Sequence, residues 1–307
     1  MPRKQRDNHL SYFGILPVNK PIGISSRKAA DCVKKVVRPA KVGHTGTLDP
    51  LASGVLVMCI GPATRLADIV QKMPKTYVGE FRLGLTSESE DIESELRPVD
   101  SAPLISEDEM RSALQAFVGT ISQVPPAFSA LKVDGRRAYK LARQGVAVEL
   151  EPREVKIHSL ELLQFAYPDF KLKIECGSGT YVRSLGRDIG ESLNSGAVMT
   201  ALLRSAVGLF DVERSVPLDQ LESCELRDSI IEPGELFFDS AKVRLDESQI
   251  QLLKNGHMFL RDEFQIPLEA DKVAAFDNND QLLAVLCPHR DGRLKPRLNF
   301  VHHYDFD

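Results

Sequence analysis

The sequence predicts an α+β protein with a mixed, largely antiparallel sheet, flanking helices and a small C-terminal module rich in β-strands. Strand-like runs and helical runs do not alternate as regular βαβ units, which favours a largely antiparallel sheet. From about residue 240 onward the chain holds short β-like runs, KVAAFD and QLLAVLC, separated by NND and HRDGR. We therefore predict a large domain at residues 1–239 and a small one at residues 240–307.

The first clear pattern is a helix that begins at Ser25 or Ser26 and ends before Pro39. Either serine can cap it, and proline cannot continue it. The face opposite its apolar positions carries four basic residues: Arg27, Lys34, Lys35 and Arg38. Residues 54–61 then form a continuous apolar run, which is typical of a strand buried on both faces.

Farther along, strands and helices continue to follow one another. Residues 77–85 predict a strand with Tyr77 on its apolar face. Ser106 and Glu109 form a capping box for a helix that we expect to end at Gly119. Residues 155–176 alternate between apolar and polar as strands do, and GSGT at 177–180 turns the chain into another helix.

Charge is unevenly distributed along a chain whose net charge is −4. Residues 1–41 hold ten Lys and Arg against two Asp, a net charge of +8, so the remainder carries −12. A second basic cluster lies in LKVDGRRAYKLAR, residues 131–143. Two basic surfaces on an acidic body suit a phosphate-rich partner held in a defined place, although solvated faces would have the same composition.

The stretch GHTGTLDPLASG, residues 43–54, is the strongest chemical signal, and we call it the signature loop. Pro50 restricts Asp49 to an extended conformation, and Gly43 and Gly46 permit a tight backbone. The loop lacks the Gly-Lys-Ser/Thr of a P-loop and the GxSxG of a nucleophile elbow, and one His with one Asp is a poor metal site. From the residues alone, Asp49 is either a nucleophile or general base, or a structural loop aspartate.

Six stretches, in order, resemble motifs of the TruB family of tRNA pseudouridine synthases, enzymes that convert uridine 55 in the T loop to pseudouridine. They are GILPVNKPIGISS, GHTGTLDPLASGVL, KTYVGEFRLG, VPPAFSALKVDGRRAYKLARQG, GTYVRSLGRDIG and GAVMTALLRSAVG. Together they cover most of residues 14–208. The resemblance implies the pseudouridine synthase fold for the large domain. The C-terminal module resembles, more weakly, a PUA-type RNA-binding domain.

Carried over position by position, the resemblance implies that Asp49 is the catalytic nucleophile and Arg183 its ion-pair partner. Tyr77 matches the ring that stacks on the target uracil, and it is a candidate proton relay. The other implied substrate-binding residues are His44, Tyr181, Leu202 and Lys20. The fourth stretch resembles the family's thumb insertion, about residues 125–153, which is expected to grip the RNA backbone through Lys132, Arg136, Arg137, Lys140 and Arg143.

The chain also departs from the family pattern. The departures are Asn19, Ser94, Phe128, Val198 and Leu203, where an aspartate, a glycine, a tyrosine, a histidine and an arginine are usual. None of them replaces Asp49, Tyr77 or Arg183. We therefore expect these departures to affect RNA contacts near residues 198–204 and the geometry of the thumb rather than the chemistry.

Pseudouridine formation is an isomerisation without redox or phosphate chemistry, so we expect no cofactor and no metal. The base must be flipped out of the folded loop to be reached. The expected partner is the T arm of tRNA, bound by a cytoplasmic monomer with no obligatory protein partner and no membrane association. Three alternatives remain: the catalytic subunit of a guide-RNA-directed particle, a non-catalytic RNA-binding protein, and a glycosidase. The DPLASG string and the thumb disfavour the particle subunit. If Asp49 were dispensable, the protein would instead be a non-catalytic RNA-binding protein. A glycosidase is disfavoured because the sequence shows no evident second carboxylate partner.

Overall fold

We describe a computed structural model of the chain, which covers residues 12–129, 131–133, 135–142, 144–146, 150–223 and 225–304. Among these residues, no helix is both long and apolar enough to cross a bilayer. The fold is α+β with a large mixed sheet and a second, C-terminal β-sheet, which confirms the predicted fold class.

The first half of the described chain alternates short helices with strands. Its strands are β1 (Gly14–Lys20), β2 (Val42–Thr45), β3 (Ala52–Ile60), β4 (Lys75–Leu83), β5 (Leu85–Thr86), β6 (Arg97–Pro98), β7 (Gly119–Gln123), β8 (Lys132–Val133) and β9 (Arg136–Arg137). Its helices are α1 (Ser26–Val36), α2 (Ala67–Lys72), α3 (Glu107–Gln115) and α4 (Ala138–Ala142), with a 3₁₀ turn at Gly61–Leu66.

The second half contains the long strands and the C-terminal module. Its strands are β10 (Arg153–Ala166), β11 (Asp169–Cys176), β12 (Ala197–Val207), β13 (Phe210–Asp211), β14 (Val216–Pro217), β15 (Ala241–Arg244), β16 (Phe259–Leu260), β17 (Val273–Phe276), β18 (Leu282–Pro288) and β19 (Arg293–Asn299). Its helices are α5 (Val182–Ser192) and α6 (Glu247–Lys254), with 3₁₀ turns at Leu218–Gln220, Pro233–Phe237, Asp262–Phe264 and Val301–His303.

Ten strands of the described chain form the large sheet, in the order β14-β1-β3-β12-β4-β11-β10-β7, with β2 beside β3 and β13 beside β12. The β1–β14 and β3–β12 pairs are parallel and the other neighbours are antiparallel. In this order β12 joins β3, which follows the signature loop, to β4, which carries Tyr77. The topology therefore places three sequence motifs side by side.

Strand β3 is buried on both faces, as its apolar run predicts. Leu56 and Met58 pack in the core that includes α1, whereas Val55 and Val57 pack in a second core that includes C-terminal residues such as Phe276. Helix α1 begins one residue after Ser25, whose hydroxyl accepts a hydrogen bond from the backbone N–H of Lys28. Local capping and two-sided burial therefore fix the elements that flank the signature loop.

Helix α3 shows the predicted capping box between Ser106 and Glu109, but the helix ends at Gln115 rather than at Gly119. Residues 116–118 continue as turns in which Phe117 N–H donates to the carbonyl of Leu114. Gly119 has a φ of +107° and begins β7. The glycine reverses the chain because it tolerates positive φ, but the helical bonds have tightened to the i to i+3 pattern before it.

The C-terminal sheet has the order β15-β17-β18-β19-β16 among the described residues. It packs against the large sheet through aromatic rings: the ring centroid of Phe13 lies 5.4 Å from that of Phe300 and 5.6 Å from that of Tyr304. The guanidinium of Arg65 lies over Phe300 and donates to the backbone carbonyl of Asn299 at 2.8 Å. These contacts join the two sheets on the face of β3 opposite α1.

Candidate active site

A cleft of about 640 Å³ opens beside the ends of β3, β4 and β12, a volume suited to a small ligand. Six residues predicted from the sequence line it together: Asp49, Tyr77, Arg137, Tyr181, Arg183 and Leu202. Because 134 positions of sequence separate Asp49 from Arg183, the sheet topology is what brings them into one site.

The signature loop is fixed from three directions. The buried hydroxyl of Ser26, at the start of α1, donates to the carbonyl of Leu48 at 2.9 Å and accepts from the Leu48 N–H at 2.8 Å. The N–H of Gly23 donates to the carbonyl of Pro50 at 2.8 Å. The guanidinium of Arg204, in β12, donates to the carbonyl of Gly46 at 3.1 Å. Asp49 therefore lies in a loop whose backbone is held on both sides of it.

Arg183, in the first turn of α5, reaches Asp49 with its Nε 3.0 Å from the Asp49 Oδ2. Its Nη1 lies 3.7 Å from Asp91 Oδ2 and donates to the carbonyl of Ser89 at 2.8 Å, while its Nη2 donates to the carbonyl of Phe128 at 3.0 Å. The Arg183 side chain is 6% exposed. Its planar donors thus fix one orientation toward the cleft.

Burial raises the pKa of the Asp49 carboxyl above its usual value. Arg183, by charge and hydrogen bond, and Lys20, by charge, lower this pKa, whereas the negative charge of Asp91 raises it. The balance leaves the pKa of Asp49 raised, because desolvation penalises the ionised form most. Arg183 is therefore the main group that favours the ionised form of Asp49.

Tyr77 is 8% exposed, and its ring contributes to both the core and the cleft. Burial raises the pKa of its hydroxyl, and the neighbouring guanidinium of Arg204 opposes this rise. Arg204 stands directly opposite Tyr77 in the β4–β12 ladder and is only 1% exposed. Its Nε also donates to the carbonyl of Val55 at 2.7 Å, so Arg204 links the three strands around the cleft.

Two other predicted residues, Lys20 and His44, do not line the cleft. The fully buried ammonium of Lys20 donates to the carbonyls of Pro21 and Ile24 at 2.9 and 2.8 Å, and burial lowers its pKa to about 8. It thereby orders the turn that bonds to Pro50. His44 lies in β2 opposite Met58, and burial lowers the pKa of its imidazole, which favours the neutral form.

The thumb residues have mixed outcomes. Arg136, Arg137 and Lys140 are exposed on β9 and α4, and Arg137 also lines the cleft. Lys132 lies in β8, and Arg143 lies outside the described residues. The thumb thus brings positive charge to the rim of the cleft.

Sequence reasoning missed three buried polar residues that shape the site: Ser26, Asp91 and Arg204. Asp91, only 1% exposed, lies within TSESEDIESE, a run so acidic that it reads as a solvated segment. Ser26 looked like an alternative helix cap, and Arg204 carried no local signal at all. Among the described residues, no group of three His, Cys, Asp or Glu side chains is placed to hold a metal ion.

Several known proteins are similar in sequence to this chain. Residues 34–182 match the model of the TruB family pseudouridylate synthase N-terminal domain. A protein of Dehalococcoides mccartyi named tRNA pseudouridine synthase B is 38% identical over 292 residues, which are 94% of this chain and 96% of that protein. One of the same name from Clostridium acetobutylicum is 42% identical over 243 residues, 79% of this chain and 84% of that protein.

Solved structures agree in fold. The crystal structure of a Cbf5–Nop10–Gar1 complex contains a chain with a TM-score of 0.70 and 25% identity, covering 91% of this chain and 79% of that one. An H/ACA RNP bound to a substrate RNA contains a chain with a TM-score of 0.71 and 22% identity, covering 97% and 88%. Identity at this last level supports the fold alone. The near full-length similarity to the bacterial proteins is decisive: the chain belongs to the TruB family of pseudouridylate synthases and is an isomerase.

Proposed function

We propose that this protein converts the uridine at position 55 in the T loop of tRNA to pseudouridine, without a cofactor and with Asp49 as the nucleophile. The observation that carries the proposal is the Asp49–Arg183 pair, at 3.0 Å, in a cleft that Tyr77 also lines. The name of the bacterial relatives supports tRNA as the substrate.

The reaction breaks the bond between N1 of uracil and C1′ of ribose, rotates the base and joins C5 to C1′. One proton leaves C5 and one is gained at N1, so substrate and product are isomers. A carboxylate nucleophile must be ionised, and burial works against ionisation. Arg183 supplies the opposing charge, and its other donors are occupied by backbone carbonyls, which keeps its Nε on Asp49.

The target base has to leave the stack of the T loop to enter the cleft, at a cost of a few kcal/mol. In this proposal the ring of Tyr77 stacks on the flipped uracil, with Leu202 and Tyr181 lining the pocket around it. His44, whose lowered pKa favours a neutral ring, packs into the opened loop. A neutral imidazole suits this position because it can stack on a base without placing a second charge near Arg204.

The RNA backbone is held by two basic surfaces in this proposal. One is the exposed face of α1, and the other is the thumb, with Arg136, Arg137 and Lys140 exposed. Residues 1–239 then form the catalytic domain and residues 240–307 an RNA-binding domain of the PUA type. The protein acts as a monomer in the cytoplasm, where its buried thiols, Cys59 and Cys176, stay reduced.

The decisive experiment uses the purified protein and an isolated T-arm hairpin, with no other RNA or protein. We expect pseudouridine at the single T-loop uridine, and none with Asp49→Asn. The structural neighbours come from a Cbf5–Nop10–Gar1 complex and from an H/ACA RNP, which raises the alternative that a further RNA, such as a guide strand, and partner proteins are needed. No product on hairpin or whole tRNA, with activity only after such components are added, would support that alternative instead.

The thumb can be tested by salt titration of tRNA binding. Each phosphate neutralised contributes a slope of roughly −0.9 to log K against log salt on duplex. Charge reversal at Arg136 and Arg137 should therefore flatten the slope. Reversal at Arg111 and Arg214, which are exposed elsewhere, is the matched control and should leave the slope unchanged.

A further inference from the structure

Two arginines on α5, Arg183 and Arg187, contact the same two segments. One segment is the acidic turn, residues 86–95, and the other is the thumb root, residues 123–129. Arg183 donates to the carbonyl of Ser89 in the acidic turn at 2.8 Å and to that of Phe128 in the thumb root at 3.0 Å. Arg187 pairs with Glu90 in the acidic turn and donates to the carbonyl of Val124 at 3.0 Å. Residues four apart share one face of a helix, so the two arginines form a ladder.

The Arg187 end of this ladder is a partly buried ionic cluster away from the cleft. Glu90 is 8% exposed and accepts a hydrogen bond from the hydroxyl of Ser184 at 2.6 Å, while Arg187 also pairs with Asp188 at 2.7 Å. None of these residues lines the cleft. A buried carboxylate without its guanidinium would be strongly destabilising, so the pair holds the acidic turn firmly against α5.

Gln123 provides a second tie between the thumb root and α5. Its side chain is 1% exposed, and its amide makes two bonds to the backbone of Tyr181: the Tyr181 N–H donates to Oε1 at 2.8 Å, and Nε2 donates to the Tyr181 carbonyl at 3.1 Å. The basic part of the thumb is joined to the same root, because Tyr139 N–H donates to the carbonyl of Ser129 at 3.0 Å. Hydrogen bonds thus tie α4 to the thumb root, and the thumb root to Tyr181, the residue that precedes α5.

Resting on the proposed function, we propose that Arg187, Glu90 and Gln123 are positioning residues. They fasten the thumb root and the acidic turn to α5, so that RNA seated beneath the thumb stabilises the contact between the Arg183 guanidinium and Asp49 that the structure already shows. The fastening residues themselves touch neither substrate nor Asp49.

If the positioning residues are lost and Arg183 loosens, the dependence of the rate on pH should change. The charged and titratable groups that act on Asp49 are Arg183 from α5, Asp91 from the acidic turn and Lys20 from β1, and the hydroxyls of Tyr77 and Tyr181 are also within its field. Arg183 lowers the pKa of Asp49, so a loosened Arg183 lets that pKa rise further. The acidic limb of the rate profile then moves to higher pH. A variant that only loses folded protein would instead lower the rate by the same factor at every pH.

The test is single-turnover pseudouridine formation on tRNA by Arg187→Ala. We expect a rate lower by about tenfold or more, tRNA affinity within about twofold, and an acidic limb shifted to higher pH. Arg187→Lys should recover part of the rate, because it keeps the charge for Glu90 but not the second donor to Val124. The double variant Glu90→Gln with Arg187→Met removes both charges of the buried Glu90–Arg187 pair, and it should show the same shift in a well-folded protein.

Arg82→Ala is the matched control, since it removes an exposed pair with Asp169 on the strand that carries Tyr77 and should leave rate and profile unchanged. Hydrogen exchange gives a readout without turnover: bound tRNA should protect the thumb root and residues 181–185 in the wild type, but only the thumb root in Arg187→Ala. An unshifted limb, or α5 protection that survives in Arg187→Ala, overturns the inference. A wild type that protects α5 on binding tRNA yet makes no pseudouridine overturns the proposed function alone.

Discussion

Two carboxylates approach Arg183 from different parts of the chain, and their surroundings differ. Asp49, in the signature loop, has a side chain that is 35% exposed and lies 3.0 Å from Arg183 Nε. Asp91, in the acidic turn, has a side chain that is 1% exposed and lies 3.7 Å from Arg183 Nη1. One carboxylate faces the cleft and the other is closed off behind the arginine.

The hydrogen bonds of Asp49 and Asp91 explain why their surroundings differ. One oxygen of Asp91 accepts from the hydroxyl of Ser89 and from the N–H of Glu93, the latter at 2.9 Å. Both donors belong to the same turn, and the other oxygen of Asp91 lies toward Arg183. Asp49 instead has a held backbone and a carboxylate on the cleft, where a substrate can reach it. A buried carboxylate held by neighbouring donors can orient Arg183, and one that faces the cleft can react.

The largest effect should come from Asp49→Asn, which keeps the shape of the side chain and removes the carboxylate that we propose as the nucleophile. We expect the rate of pseudouridine formation to fall by roughly a thousandfold or more with tRNA affinity unchanged. Rate and affinity are measured separately, by single turnover and filter binding. Residual activity within tenfold of the wild type would mean that the two carboxylates have been assigned the wrong way round.

Arg183 contacts both carboxylates, and its replacement should have the second-largest effect. Arg183→Ala should lower the rate by about 10²- to 10³-fold and move the acidic limb of the profile to higher pH, since Asp49 loses the main group that lowers its pKa. Arg183→Lys should recover only a part, because an ammonium cannot hold Asp49 and two carbonyls at once. A fully active Arg183→Ala variant would show that the Asp49–Arg183 pair does not contribute to the reaction.

Asp91→Asn should have a smaller effect with the opposite pH direction. We expect a rate lower by about tenfold, while the carbonyls of Ser89 and Phe128 keep Arg183 on Asp49. Removing the negative charge of Asp91 also removes a cause that raises the pKa of Asp49, so the acidic limb should move to lower pH. Rate profiles between pH 4 and pH 8 would decide this. A shift in the same direction as that of Arg183→Ala contradicts the proposed arrangement.

The smallest effect should follow Ser89→Ala, which removes one donor to Asp91 and leaves the N–H of Glu93 in place. A hydrogen bond to a charged group contributes about 1.5–3 kcal/mol, so unfolding should become easier while the rate falls by less than about tenfold. Chemical denaturation and single turnover measure the two quantities. Ser87→Ala, in the same turn but bonded to a backbone carbonyl, is the matched control.

The difference between Asp49 and Asp91 also marks what a sequence can reveal. Helices α1 and α3 were predictable because their caps are local: Ser25 and Ser106 accept from N–H groups three residues away. The resemblance also identified Asp49, Tyr77 and Arg183, which do line one cleft. Their catalytic roles remain predictions.

Asp91 and Arg204 could not be found in the same way, because their burial arises from distant strands. Asp91 forms a bridge with Met199, and Arg204 stands opposite Tyr77, in both cases more than a hundred positions away in the chain. No period or cap in the surrounding residues signals such a partner. The end of α3 was misplaced because Phe117 and Val118 continue its helical apolar spacing, although turns occupy residues 116–118.

The position of β12 between β3 and β4 has a consequence for synthesis on the ribosome. Strands β3 and β4 emerge early but touch through β12, which ends at Val207. At about 5–20 residues per second, the nascent chain waits on the order of ten seconds for the strand that joins them. Until then the cleft lacks Leu202 and Arg204, so we expect the emerging polypeptide to be inactive. The same delay leaves the inner edges of β3 and β4 without their neighbour, which makes this interval the one in which a chaperone would matter most.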